Sequence, residues 1–149
     1  MNIQTLLIDA VALIVGIVIH ESAHALAAYV LGDKTARSRG RVSLNPLAHI
    51  DLFGTVLLPL LMLAAGGPVF AFAKPVPVYL NNLKHPKRDE LLVALAGPLS
   101  NVLLALAGAL IGYVLLPLLA GQAAMSLLYF LFSFFMTFIV VNLSLAFFN

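Results

Sequence analysis

Long apolar runs alternate with two short polar stretches along this chain, and the run lengths predict its elements. Three runs, Ile3–Leu31, Leu91–Leu119 and Ala123–Phe148, are long enough as helices to cross about 30 Å of hydrocarbon. A fourth, LFGTVLLPLLMLAAGGPVFAFA over residues 52–73, has the length but is interrupted by Pro59 and by Gly66-Gly67-Pro68. Proline and paired glycine weaken or end a helix. Beyond that break, VFAFAKPVPVYL is rich in β-branched and aromatic residues, and its prolines suit an edge strand or extended segment. The pattern predicts an all-α polytopic membrane protein. It has three transmembrane helices and a re-entrant helix followed by an extended element with a short β segment.

Charge decides how the fourth run is read. All eight Lys and Arg fall in the two polar stretches, four in residues 33–51 and four in 74–89. Equal basic counts favour the cytoplasmic side for both loops, as expected for a multi-pass protein of the plasma membrane. A full crossing by residues 52–73 would separate them; a helix inward and an extended return keeps them together. Re-entry requires protein or a water-filled cavity around the exposed backbone. The topology that follows has the N-terminus outside and Asn149 on the cytoplasmic side, at a depth comparable with His20 and His24.

Composition agrees with a bilayer protein. Of 149 residues 62% are hydrophobic and 9% charged, where soluble domains carry about 25% charged residues. A net charge of +2 gives no reason to expect nucleic acid as a partner, and the absence of cysteine excludes disulfides and thiolate metal sites. The chain reads as a single domain over 1–149. Its first apolar run has no basic leader and exceeds signal-peptide length, so it is expected to be a retained span.

One stretch inside the first span, IVIHESAHALAAYVLGD, places His20, Glu21 and His24 within five positions. Histidines four apart on a helix lie one turn apart on one face, where both rings can point at one zinc ion. A carboxylate between them can take a proton from a water that the metal activates. The alternative is a pair of core histidines bonded to neighbouring carbonyls. Three ionisable side chains in a spanning helix are costly, which favours a functional reading.

In order along the chain, HESAHALAAYVLGD, SLNPLAHIDLFGT, AKPVPVYLNNLKHPKRDELLVALAGPLSN and VVNLSLAFFN resemble the site-2 protease family of intramembrane zinc metalloproteases, and its compact prokaryotic members most closely. The resemblance covers nearly the whole chain. It implies an endopeptidase that hydrolyses transmembrane protein or peptide substrates with one zinc ion per chain, held by His20 and His24, with Glu21 as general base. AGPLSN resembles the family's Gly-Pro-x-x-Asn motif, in which Asn101 would bond backbone or substrate; helix packing is the alternative role. AKPVPVYL resembles the segment that pairs with substrate, making Val76 and Val78 substrate-binding residues, or else it is an ordinary surface strand. Asn149 matches the asparagine that stabilises the oxyanion. Asn142 has no such match and reads as an interhelical bond.

The family's third zinc ligand is the aspartate of a Leu-Asp-Gly run, and no such run occurs in residues 1–149. Either the sequence is a C-terminally truncated form of a longer protease, or another residue completes the site. His49 and Asp51, in NPLAHID, are the internal candidates for a third ligand or for a gate at the site entrance. A helix cap is the alternative for them. A second class of function is a metal-binding membrane protein without proteolysis, such as a pseudoprotease or an ion-handling protein.

Overall fold

The structure, a computed structural model, describes residues 3–66 and 73–148. Three long helices dominate it: α1 (Ile3–Val30), α4 (Pro86–Leu119) and α5 (Met125–Phe148). All three are long and apolar enough to cross a membrane. Large side chains such as Leu103, Leu110 and Phe147 stand exposed along them, as helices facing hydrocarbon require. Between α1 and α4 lie the short α2 (Thr35–Ser38), a 3₁₀ turn at Pro46–Ala48, and a π-helical stretch, Leu52–Leu57, running into α3 (Leu58–Ala64). A second 3₁₀ turn follows at Leu80–Asn82.

No strand is present among the described residues. Of the expected β segment, 69–72 lies outside them and 73–79 has no regular secondary structure. Gly67 and Pro68 of the expected break also lie outside. Gly66, with φ +69°, follows the end of α3 in the left-handed conformation that glycine adopts without steric cost. Pro59 has no N–H to offer the preceding turn, and the wide π-helical turn lies directly before α3.

The chain forms two compact units, with boundaries between His20 and Glu21 in α1 and between Ala96 and Gly97 in α4. The first unit comprises residues 1–20 and 97–149, and small residues let its helices pack closely. A Cβ at Gly108 would lie 2.9 Å from the Phe138 ring, and one at Gly112 would lie 3.1 Å from the Phe135 ring. Gly16 of α1 is covered in the same way by Leu145, Asn142 and Asn101. Backbone approach of this kind, with buried amides bonded across it, is how helices associate where lipid supplies no hydrophobic drive.

The second unit, residues 21–96, carries every Lys and Arg of the chain. Its loops are organised by two buried charges. Asp33 follows α1 at Gly32, whose φ of +121° turns the chain as Asp33 N–H bonds Ala28 O at 2.9 Å. The Asp33 carboxylate accepts from the Thr35 hydroxyl (2.6 Å), the Tyr79 N–H (2.7 Å), the Asn82 amide (3.0 Å) and the Thr35 N–H (3.0 Å). Burial pushes this carboxyl up, but the four hydrogen bonds outweigh it and hold the pKa at about 2. Arg41, 3% exposed, donates to Ala48 O and, at 2.6 Å each, to Lys74 O and Pro75 O. Lys74 N–H bonds His49 O at 3.0 Å, so the chain leaving the 46–48 turn and the chain arriving at Lys74 meet. Pro86 opens α4, and the Asp89 carboxylate accepts the His85 N–H at 2.8 Å as its cap.

Candidate metal centre

His20, Glu21 and His24 all lie on α1, where the turn of the helix stacks His20 and His24 on one face. Each ring is oriented by an acceptor from α4. In the first unit His20, 1% exposed, donates from Nδ1 to Asn101 Oδ1. Asn101 is itself fully buried, and its amide donates to Gly16 O at 3.2 Å and to Asn142 Oδ1 at 2.7 Å. Asn142 in turn donates to Phe138 O at 2.9 Å. The chain of bonds thus joins α1, α4 and α5. Asn142 makes an interhelical bond, and Asn101 is occupied on both its oxygen and its nitrogen by the helices around it.

In the second unit His24, half-buried, donates from Nδ1 to Val93 O at 2.7 Å. With a proton on Nδ1, the lone pair of each ring sits on Nε2, the nitrogen that a metal would take. Metal-ligating histidines are commonly held by an Nδ1–H bond to a carbonyl, so these two rings fit zinc. Glu21 is buried, and His24, His49 and Arg41 each act on its carboxylate electrostatically.

The residues around Glu21 arrange the loop from Ser43 to Asp51. The Ser22 hydroxyl donates to Ser43 O, and His49 Nε2–H donates to the same carbonyl at 2.8 Å. His49 is 2% exposed and its Nδ1 is buried without a hydrogen-bond partner among the described residues. Asp51 caps the π-helical stretch: its carboxylate accepts the Gly54 N–H at 2.7 Å, and its own N–H bonds the Thr55 hydroxyl at 3.0 Å. Among the described residues no three His, Cys, Asp or Glu side chains converge on one metal position. His49 lies against the Ser22 hydroxyl, and Asp51 serves the helix end.

Val76 and Val78 are half-buried in the irregular stretch 73–79. Asn149 lies outside the described residues. Arg41 and Asp33 are the residues that sequence reasoning passed over. Their only signal is a charge in a loop that carries several, which is also what a solvated residue looks like.

Comparison with known proteins places this arrangement. The profile described as Peptidase family M50 matches residues 8–126. A Bacillus subtilis (strain 168) protein named "Putative zinc metalloprotease YwhC" is 42% identical over 142 residues, 93% of this chain and 60% of the relative. A Mycolicibacterium smegmatis protein named "Putative zinc metalloprotease Rip2" is 37% identical over 87 residues, 58% of this chain and 32% of the relative. The chain thus spans 60% of the length of one of these relatives and 32% of the other. No solved structure matches it significantly. With the profile covering both the histidine-bearing helix and the Gly-Pro-x-x-Asn helix, the chain belongs to peptidase family M50, the site-2 protease family that its motifs resemble.

Proposed function

We propose that this chain is the core of a zinc-dependent intramembrane endopeptidase acting on transmembrane protein or peptide substrates. The observation that carries the reading is the pair of Nδ1–H bonds, His20 to Asn101 and His24 to Val93, on either side of Glu21. His20 and His24 would hold the ion, their Nδ1–H bonds leaving Nε2 toward it. The resemblance implies an aspartate as the third protein ligand, and within residues 1–149 His49 and Asp51 are the candidates for that place. Bound zinc supplies Lewis-acid activation of water and of the scissile carbonyl. Glu21 takes the proton from the attacking water and returns it to the departing amine. Asn149 donates to the developing oxyanion. Backbone groups at Val76 and Val78 receive the substrate as an added strand, because a helical amide is shielded by its own hydrogen bonds.

The test is cleavage of a single-span reporter by the protein in liposomes. Cleavage is expected to stop when a chelator removes the metal and to return when zinc is added back. Cleavage that persists in chelator would rule out the metal mechanism.

The same reading places the protein in the plasma membrane with residues 52–73 as a re-entrant excursion between two cytoplasmic loops. Two observations support it. The helical stretch Leu52–Ala64, six π-helical residues followed by seven α-helical ones, reaches less than about 20 Å, short of the roughly 30 Å of a bilayer core. The Lys74–His49 backbone bond joins the residues on either side of the excursion. Single cysteines at Ser38 and at Asn82 are expected to react only with a reagent on the cytoplasmic side. Reaction of the Asn82 position from outside would convert 52–73 into a full span.

A further inference from the structure

The stretch from Lys74 to Tyr79 is fixed at both ends by buried charges of opposite sign. At its start the Arg41 guanidinium takes the carbonyls of Lys74 and Pro75, while Lys74 N–H is taken by His49 O. At its end the Asp33 carboxylate takes the Tyr79 N–H, and the Asn82 amide just beyond. Between the two clamps stand Val76, Pro77 and Val78. Among the described residues their backbone groups have no partner within the chain.

The sequence of this stretch keeps it open. Prolines at 75 and 77 set their own φ near −65° and push Lys74 and Val76, which precede them, out of the helical region. Tyr79, at φ −109° and ψ 111°, is extended as well. In an extended chain alternate residues direct both N–H and C=O to the same edge. Residues 75 and 77 have no N–H, and that of 79 is taken by Asp33. The other edge, at Val76 and Val78, carries complete pairs of donor and acceptor.

We propose that Arg41 and Asp33 are positioning residues that set the register of an extended substrate by holding the Val76–Val78 edge taut between them. The inference rests on the strand-addition reading of Val76 and Val78 given above. Neither residue touches the substrate; each acts through the main chain that it clamps. Arginine suits the first clamp because its planar fork reaches three carbonyls from two separate stretches of chain at once, which a lysine ammonium on a flexible stem does not. Asp33 remains ionised throughout the neutral range, so the second clamp does not titrate with the reaction. Ordering the segment in advance removes an entropic cost that a slack loop would meet on binding substrate.

The test uses the absence of native cysteine. In the zinc-loaded protein carrying Glu21→Gln, which holds substrate without cutting it, Val78→Cys is oxidised against transmembrane peptides bearing one cysteine at successive positions. With Arg41 intact, the disulfide is expected at one or two peptide positions. With Arg41→Gln, it is expected to spread over neighbouring positions, and half-maximal trapping to need on the order of tenfold more peptide. Asp33→Asn should have the same sense of effect. Zinc content reports whether each variant is folded. If Arg41→Gln loses zinc, Arg41→Lys, which keeps the charge, takes its place and is expected to broaden the register as well. An unchanged register and unchanged half-maximum in the folded Arg41 variant overturn the inference while leaving strand addition standing. No disulfide at any peptide position with Arg41 intact overturns strand addition itself, and the clamp's role with it.

Discussion

Glu21→Gln is expected to lower the rate of reporter cleavage by about 10²–10⁴-fold, the usual contribution of a general acid–base group, and to leave zinc content unchanged. The substitution preserves shape and one carbonyl oxygen and removes the charge and the proton-accepting capacity. His24, His49 and Arg41 surround the carboxylate electrostatically, so the loss falls on the one acidic group among them. Metal retention is part of the expectation because the proposed mechanism gives Glu21 the role of base and leaves the metal to the rings at 20 and 24 and a third ligand; each of the two rings is held by a carbonyl of α4. The two measurements are elemental analysis of the purified protein and cleavage of the single-span reporter. Near-normal hydrolysis by the variant would remove Glu21 from the mechanism. Loss of zinc would make it a ligand instead.

Asn101→Leu is the change expected to cost most in stability. Leucine has the same branched skeleton of heavy atoms as asparagine, so no cavity is created. The acceptor of the His20 Nδ1–H is lost and the buried Asn142 oxygen loses its donor. Stranding a buried polar group costs about 1–3 kcal/mol, so two such groups bring the expected loss to roughly 2–6 kcal/mol, less whatever the neighbouring helices recover by shifting. Zinc affinity should fall by about 10–100-fold, the usual effect of removing the outer partner of a ligating histidine. Thermal unfolding in detergent measures the first effect and competition with a chromophoric chelator the second. An unfolding loss with unaltered zinc affinity would make Asn101 a packing residue only. Unchanged affinity and stability would contradict the buried network altogether.

The histidine pair and the three spanning helices were legible in the chain itself because both rest on local geometry. Four residues on a helix return to the same face whatever surrounds it, and an apolar run of sufficient length needs no partner to be read as a span. The ordered motifs likewise carried the family, since each is a short contiguous string. Asp51 as a helix cap was also within reach: its partners Gly54 and Thr55 are three and four positions away.

Tertiary structure alone decided what holds the candidate site. The acceptor for His20 lies 81 residues further along the chain and that for His24 lies 69 residues further, and no periodicity in α1 points to either. Asn101 had a reading as a substrate contact and as a packing residue. Its burial and its bonds to the two neighbouring helices follow from how closely glycine lets those helices approach. Arg41 looked like one more loop cation among eight basic residues. It became a clamp because folding brings Ala48, Lys74 and Pro75 to one guanidinium and excludes water from it. Local spacing can state which side chains share a face, but a buried charge or amide takes its role from the carbonyls that other segments turn toward it.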